Sequence, residues 1–439
     1  MSLAPPDRLA LPGPAGNARY KALGFFAALA AITYLDRICM AQAADPISRA
    51  LGLDKRQMGW VFSAFTLAYT LFEVPTGWLG DRIGPRKVLV RVVLWWSVFT
   101  ALTGWAGSLA ALLLIRFAFG MGEAGAFPNI ARGLTRWFPR EQRGRAQGVI
   151  WTTARLGGAV AAPLTLFVMG LIGWRATFVV YGGFGLAWAW WFWHWYRDEP
   201  AEHPAVSAEE RLWMASWQAK VDEVHGTAAA SWRSVLTNRS IWGMAGATFC
   251  VSFAWFFNAS WLPTYLSEER KIDLGQASWY ASLPFVFGIA GCALGGWVSD
   301  ALVEALGGVR WARRAVGFAG STLAGIFFLL SLRVTDPLQA VLVMGLAAFF
   351  NDMTLSSLWA ACMDIGERDS GRVAGVVNTA SGLGGFLSPI VFGELLKRGF
   401  GWSPALNLAG AFFLLGGLCW LAVDPTRTVA APALDAEFA

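Results

Sequence analysis

Seven ionisable side chains sit in stretches too apolar to hold them without a reason. Asp36 and Arg37 lie in "AITYLDRICM", Glu73 in "TLFEVPTG", Arg116 and Glu123 in "LLLIRFAFGMGEAGAFP", Arg155 in "TTARLGG" and Asp352 in "FFNDMTL". A charge at the centre of a membrane helix costs about 2.5–3.5 kcal/mol on insertion scales, so it persists where it faces a partner or a wet cavity. Arg116 and Glu123 are seven residues apart. That spacing puts them on one helix face but roughly 10 Å apart along the axis, too far for a direct pair. Asp36 and Arg37 are adjacent, so they point about 100° apart around a helix. Arginine grips a carboxylate through parallel hydrogen bonds and keeps its proton, which suits anion capture. A carboxylate in a low-dielectric cavity can take up and release protons. Anion sites beside proton sites suggest proton-coupled uptake of an organic anion. A second reading treats the same groups as buried ion pairs that only lock helices together. Packing gives weak reason to keep such pairs, because apolar replacements are often as stable.

The composition describes the elements that must position these groups. The 439 residues are 56% hydrophobic and 15% charged, with 25 Trp and 31 Phe. Soluble domains carry nearer 25% charged residues, and Trp favours the membrane–water interface. A span needs roughly 20 mostly apolar residues. Twelve are expected, over 20–45, 57–79, 88–106, 109–131, 144–170, 174–196, 240–266, 277–300, 313–333, 337–362, 373–396 and 402–422. The fold class is therefore an all-α integral membrane protein. Most of the 35 Lys and Arg fall on one side if the N-terminus is cytoplasmic, which places both termini there. The tail 1–19 does not read as a signal peptide, since no short apolar core ends at a small-residue cleavage site. The net charge of +6 comes from short loops rather than one patch, so no nucleic-acid partner is indicated. The five cysteines stand singly, and His194, His203 and His225 lie in or beside one polar loop, so neither a disulfide framework, a metal site nor a cofactor is expected. No nucleophile–base constellation stands out, which argues against an enzyme.

The chain repeats itself. "GRAQGVIWTTARLGG" (Gly144–Gly158) aligns without gaps to "GRVAGVVNTASGLGG" (Gly371–Gly385), with eight of fifteen positions identical. "GWLGDRIGPRK" (Gly77–Lys87) and "GWVSD" (Gly296–Asp300) follow the second and eighth spans in the same way. The organisation is thus an N-terminal six-helix bundle over 20–196, a linker over 197–239, a C-terminal bundle over 240–422 and a tail over 423–439. Two pseudo-symmetric halves place a binding site between them, near the midplane. Within the linker, Ser207 and Glu210 are spaced as a capping box, which predicts a short surface helix.

"GWLGDRIGPRK" resembles the loop signature of the major facilitator superfamily. "TYLDR", "IRFAFGMGEAGAFP", "WLPTYL" (Trp261–Leu266) and "GLGGFLSP" (Gly382–Pro389) resemble its anion:cation symporter family, in order and over nearly the whole chain. Bacterial members import sugar acids, tartrate, phthalate or hydroxyphenylacetate with protons across the inner membrane, and a monomer is the family's expectation. The resemblance implies Asp36 and Glu123 as the proton-coupling carboxylates and links Arg37 to Asp36. It implies Arg116 as an anion contact or a partner for Glu123, and Tyr34 and Tyr69 as site-lining tyrosines. It adds Ser356, Trp359 and Asn378 as contacts from the second half. Gly77, Asp81, Arg82, Gly84, Arg86, Lys87 and Asp300 would belong to a cytoplasmic gate. Two departures stand out. Gly382 replaces an expected amide, and Arg155 adds a cation, making it a candidate carboxylate reader. Together they favour a substrate with more negative charge, or fewer hydroxyls, than galactonate, such as a dicarboxylate or an aromatic acid. A drug exporter for lipophilic cations is disfavoured by the three cationic groups near the cavity, and a non-transporting acid sensor by the shortness of the linker.

Overall fold

The structure is a computed structural model that describes residues 17–138, 140–214, 232–366 and 370–429. The side chains at 74, 81, 135, 140–145, 274, 300, 370 and 371 are outside that description, so the gate candidates Asp81 and Asp300 cannot be placed. Among the described residues every regular element is a helix.

The first span, Ala18–Gln42, is followed by a short helix, Ala44–Leu51. The second and third are Lys55–Ile83 and Pro85–Thr103. The fourth is in two pieces, Leu109–Glu123 and Ala126–Trp137. The fifth and sixth form one run, Arg140–Trp195, broken at Gly173, whose φ of 76° L side chains rarely adopt. The second half comprises Arg239–Ser260 with its extension Leu262–Glu268, then Leu274–Leu306, Val309–Ser331, Pro337–Gly366, Ser370–Lys397 and Trp402–Trp420. Nine described stretches are long and apolar enough to cross a membrane, and one of them, Ala146–Trp195, carries two spans. The second span is diluted by Gln57, Ser63, Thr66, Thr70 and Glu73, and the third by Arg86, Lys87 and Arg91.

Side-chain caps start several spans. Asp54 accepts from the Gln57 amide at 2.8 Å while Gln57 accepts from the Asp54 amide at 2.9 Å, a complete capping box. Ser108, Asn238 and Asp273 cap the fourth, seventh and eighth. The helix expected after Ser207 begins at residue 208, with Ser207 Oγ accepting from the Glu210 amide at 3.1 Å. Only half of the expected box forms, because the Glu210 carboxylate is buried and makes no hydrogen bond.

The exterior is apolar. Trp105, Leu114, Phe167, Leu171, Trp191 and Trp297 all present exposed rings or side chains, as a lipid-facing surface requires. The halves meet along two seams, the second span against the eleventh and the fifth against the eighth. Residues 17 and 429 mark the terminal face, and the opposite side is the distal face. Near the distal face the second and eleventh spans approach backbone to backbone. A Cβ at Gly59 would strike the Pro389 carbonyl, and one at Gly393 the Lys55 carbonyl. Ser63 Oγ donates to the Phe386 carbonyl at 2.7 Å. Around this contact, Lys397 pairs with Asp54 at 2.9 Å, Arg56 with Glu394 at 3.3 Å, and Lys55 with Glu268.

Candidate functional site

Between the halves lies a cavity of about 40 Å³. Tyr34, Arg37, Phe65 and Arg116 line it from the first half, and Trp255, Phe256 and Ser260 from the second. On this measure about 10–15 Å³ holds one water, so the space has room for only a few waters.

The first span delivers Arg37 and the fourth delivers Glu123 just before its break at Ala124–Gly125. Arg37 Nε lies 2.6 Å from Glu123 Oε1, and Glu123 is fully buried. The guanidinium is walled by aromatic rings, with Tyr69 at 4.7 Å, Phe65 at 5.2 Å and Tyr34 at 5.5 Å from its carbon. One nitrogen of Arg37 and one oxygen of Glu123 remain buried without a hydrogen bond. The pairing implied between Arg37 and Asp36 is not formed. Adjacent residues diverge around a helix, so when Arg37 turns to the fourth span Asp36 turns away from it. Asp36 is 2% exposed, and neither carboxylate oxygen has a hydrogen-bond partner. Its interacting charges are Glu123 and Arg116.

Arg116 is 3% exposed and makes no ion pair or hydrogen bond with any described residue. It packs over Phe119 at 4.4 Å and Phe65 at 5.2 Å and lines the cavity. As the two-turn spacing requires, it does not reach Glu123 in an ion pair.

Arg155 is different. Its Nε lies 2.7 Å from Asp352 Oδ2, and its Nη2 donates to Asp352 Oδ1 at 2.9 Å. This fork joins the fifth span to the tenth across the halves. Asn351 donates to the same Oδ1 at 2.9 Å, and Arg155 Nη1 donates to the Tyr34 hydroxyl at 3.3 Å. The fork of Arg155, the candidate carboxylate reader, is thus filled by a carboxylate of the chain itself.

The remaining candidates scatter. Asn378 donates to Glu73 across the second and eleventh spans at 3.5 Å. Ser356 packs inside the second half, donating to the Cys292 carbonyl at 3.5 Å, and Trp359 is half-buried on the same span; neither lines the cavity. At Gly382 a Cβ would meet the Thr70 side chain. Among the gate candidates, Gly77 abuts Pro128, Arg82 stacks on Trp78 at 4.1 Å, and Lys87 is exposed. Gly84, with φ 85°, turns the chain so that the Arg86 amide can donate to Asp198 at 2.8 Å. Arg86 also stacks on Trp193 and donates to its carbonyl. Burial holds the Asp198 carboxyl above the usual range, despite the Arg86 amide and charge.

Sequence reasoning missed the wall from the second half, namely Trp255, Phe256, Ala259 and Ser260 on the seventh span. The repeat carried a usable signal. In a six-plus-six arrangement the seventh span is the counterpart of the first, which supplies Tyr34 and Arg37.

The Major Facilitator Superfamily profile matches residues 26–389. A protein of Cupriavidus necator named "Probable sulfoacetate transporter SauU" is 37% identical over 416 residues, 94% of this chain and 96% of its own. The D-galactonate transporter of Escherichia coli is 32% identical over 415 residues, covering 92% and 95%. "Probable galactarate/D-glucarate transporter GarP" of Escherichia coli is 31% identical over 426 residues, covering 93% and 95%. The inward-facing, unoccupied crystal structure of a bacterial homologue of the human lysosomal transporter Spinster shares the fold. Its TM-score is 0.69 at 20% identity, covering 92% of this chain and 95% of that one. The chain is thus a multi-pass membrane transporter, not an enzyme, and it belongs to the Major Facilitator Superfamily.

Proposed function

We propose that the protein is a proton-coupled symporter that imports a small organic anion by alternating access. The observation that carries this is Arg116, a buried guanidinium that makes no ion pair or hydrogen bond with any described residue and lines the cavity between the halves. A buried charge whose hydrogen bonds are unmade is costly, and an anionic substrate would supply them. Relatives bearing the names of sulfoacetate, galactonate and glucarate transporters support the substrate class.

Coupling follows from the Arg37–Glu123 pair. An incoming anion competes with Glu123 for Arg37. A proton on Glu123 removes its charge, releases Arg37 to the anion and lets both guanidiniums hold one substrate. Asp36, lacking a hydrogen-bond partner, is the second proton carrier. Tyr34 and Tyr69 orient Arg37 through their rings. Sealing of the distal face, with a cavity that holds only a few waters, fits one state of a cycle in which the two halves rock around the site. The positive-inside bias makes the terminal face cytoplasmic, with both termini in the cytoplasm and the protein in a bacterial inner membrane. It acts as a monomer, with Arg82, Arg86 and Lys87 in the cytoplasmic gate.

A thermal-shift screen of purified protein against sugar acids, dicarboxylates, sulfonates, aromatic acids and lipophilic cations tests this reading. A ligand that binds the native state raises apparent stability by mass action. An acid that stabilises the wild type but not Arg116→Ala is the expected result. Stabilisation by the cations alone would move the assignment to an exporter.

A further inference from the structure

We propose that Asp352 sets how much negative charge the site accepts, by neutralising Arg155 directly behind the cavity wall. The inference rests on the anion-transport reading above and names a property of that same site.

Arg155 is connected to the cavity on two sides. Its Nη1 bonds the Tyr34 hydroxyl, and Tyr34 lines the cavity beside Arg37. Its guanidinium carbon lies 5.0 Å from the ring of Trp255, which also lines the cavity. With Asp352 removed, the guanidinium would become a third cation at the substrate. Asp352 prevents this. Both its oxygens lie against Arg155, and the pair is almost wholly buried, at 6% and 2% exposure. The eighth span makes room for the carboxylate with Gly288, where a Cβ would strike Asp352 Oδ2. Asn351 fixes the carboxylate from its other side. Asn258 adds a buried Oδ1 without a partner in the adjoining void.

The charge count then decides what fits. Arg155 and Asp352 cancel. Arg37 and Arg116 remain, set against Glu123, Asp36 and, acting on Arg37, Glu73. With all three acids protonated the site carries two positive charges and matches a dianion. With two protonated it matches a monoanion. A trianion exceeds the site in either state. At the position of Arg155's repeat partner the second half offers no polar side chain, because Gly382 stands there and Thr70 fills the space.

The test measures dissociation constants of purified protein for succinate and tricarballylate, a dianion and a trianion that both lack hydroxyls. In Asp352→Asn, the affinity ratio should move toward the trianion by about tenfold or more, the scale of one added close charge contact. Arg155→Gln should move it away from the trianion, and the double variant Arg155→Gln/Asp352→Asn should restore the wild-type ratio. If Asp352→Asn does not fold, the other two variants carry the comparison. A purely structural pair would change affinity for both anions by one factor, and an unchanged ratio in either folded single variant, or a double variant whose ratio departs from the wild type, overturns the proposal. Failure of wild-type protein to bind any anion in the wider screen would instead overturn the transport reading on which it rests.

Discussion

Two buried arginines of the first half show how differently one side chain can be used. Arg155 is held by a carboxylate fork from the opposite half, with an asparagine and a tyrosine completing the network. Arg116 is as deeply buried, yet it rests on two phenylalanine rings and makes no ion pair or hydrogen bond with a described residue, feeling Glu123 and Asp36 only through space. A structural guanidinium brings its counter-charge into contact. One whose counter-charges stay out of contact, facing a cavity, leaves its hydrogen bonds to a ligand.

The contrast breaks most readily at Arg155. Arg155→Ala leaves Asp352 buried without its partner, and losing one member of a buried pair costs about 3–5 kcal/mol. A large fall in thermal midpoint is expected, read by scanning fluorimetry in detergent. Arg116→Ala removes a buried charge that no described residue holds in an ion pair or hydrogen bond, so its midpoint should change far less than that of Arg155→Ala. Its effect should fall on binding instead, where truncating a desolvated charge contact costs about 2–5 kcal/mol, or roughly 30-fold and more in affinity. If both substitutions destabilise equally, the distinction between the two arginines fails.

Glu123→Gln sharpens the comparison from the other side. It removes the charge that occupies Arg37 and keeps a side chain of nearly the same shape. Substrate binding should persist, and accumulation driven by a pH gradient should be lost. Proteoliposomes with and without a gradient separate the two readouts. Full accumulation in this variant and in Asp36→Asn would remove both acids from the coupling role.

How much of this was legible beforehand depends on the range of the interaction. The twelve spans follow from runs of apolar residues, a local property, and the break in the fourth span falls within two residues of Glu123. The charges themselves were visible because an apolar background isolates them. Their partners were not. Arg37 meets Glu123 across 86 positions, and Arg155 meets Asp352 across 197. No spacing rule reaches that far, and the adjacency of Asp36 and Arg37 suggested a link that helix geometry opposes. Trp255 and Phe256 stayed hidden for the opposite reason: in an apolar span, an aromatic residue facing a cavity has the same sequence signature as one facing lipid.

The smallest effect is expected at the distal face, where the ion pairs are half in solvent. Asp54 and Lys397 are 40% and 45% exposed, and exposed pairs contribute about 0.2–1 kcal/mol. Partial burial pushes the Asp54 carboxyl up. The Lys397 hydrogen bond, the Gln57 amide and the charges of Lys397 and Arg56 outweigh it, so the group sits below its ordinary value. A depressed native value means that the contribution is complete above the unfolded pKa, near 3.9, and fades only as pH falls through the native one. Asp54 therefore stays ionised from pH 5 to 8 and contributes no pH dependence of transport in that window. Asp54→Asn keeps an acceptor for the Gln57 amide and deletes the charge opposite Lys397. Its thermal midpoint should shift only slightly, and its transport profile between pH 5 and 8 should superimpose on the wild type. A displaced profile would transfer part of the coupling from the buried pairs to the seal that closes over them.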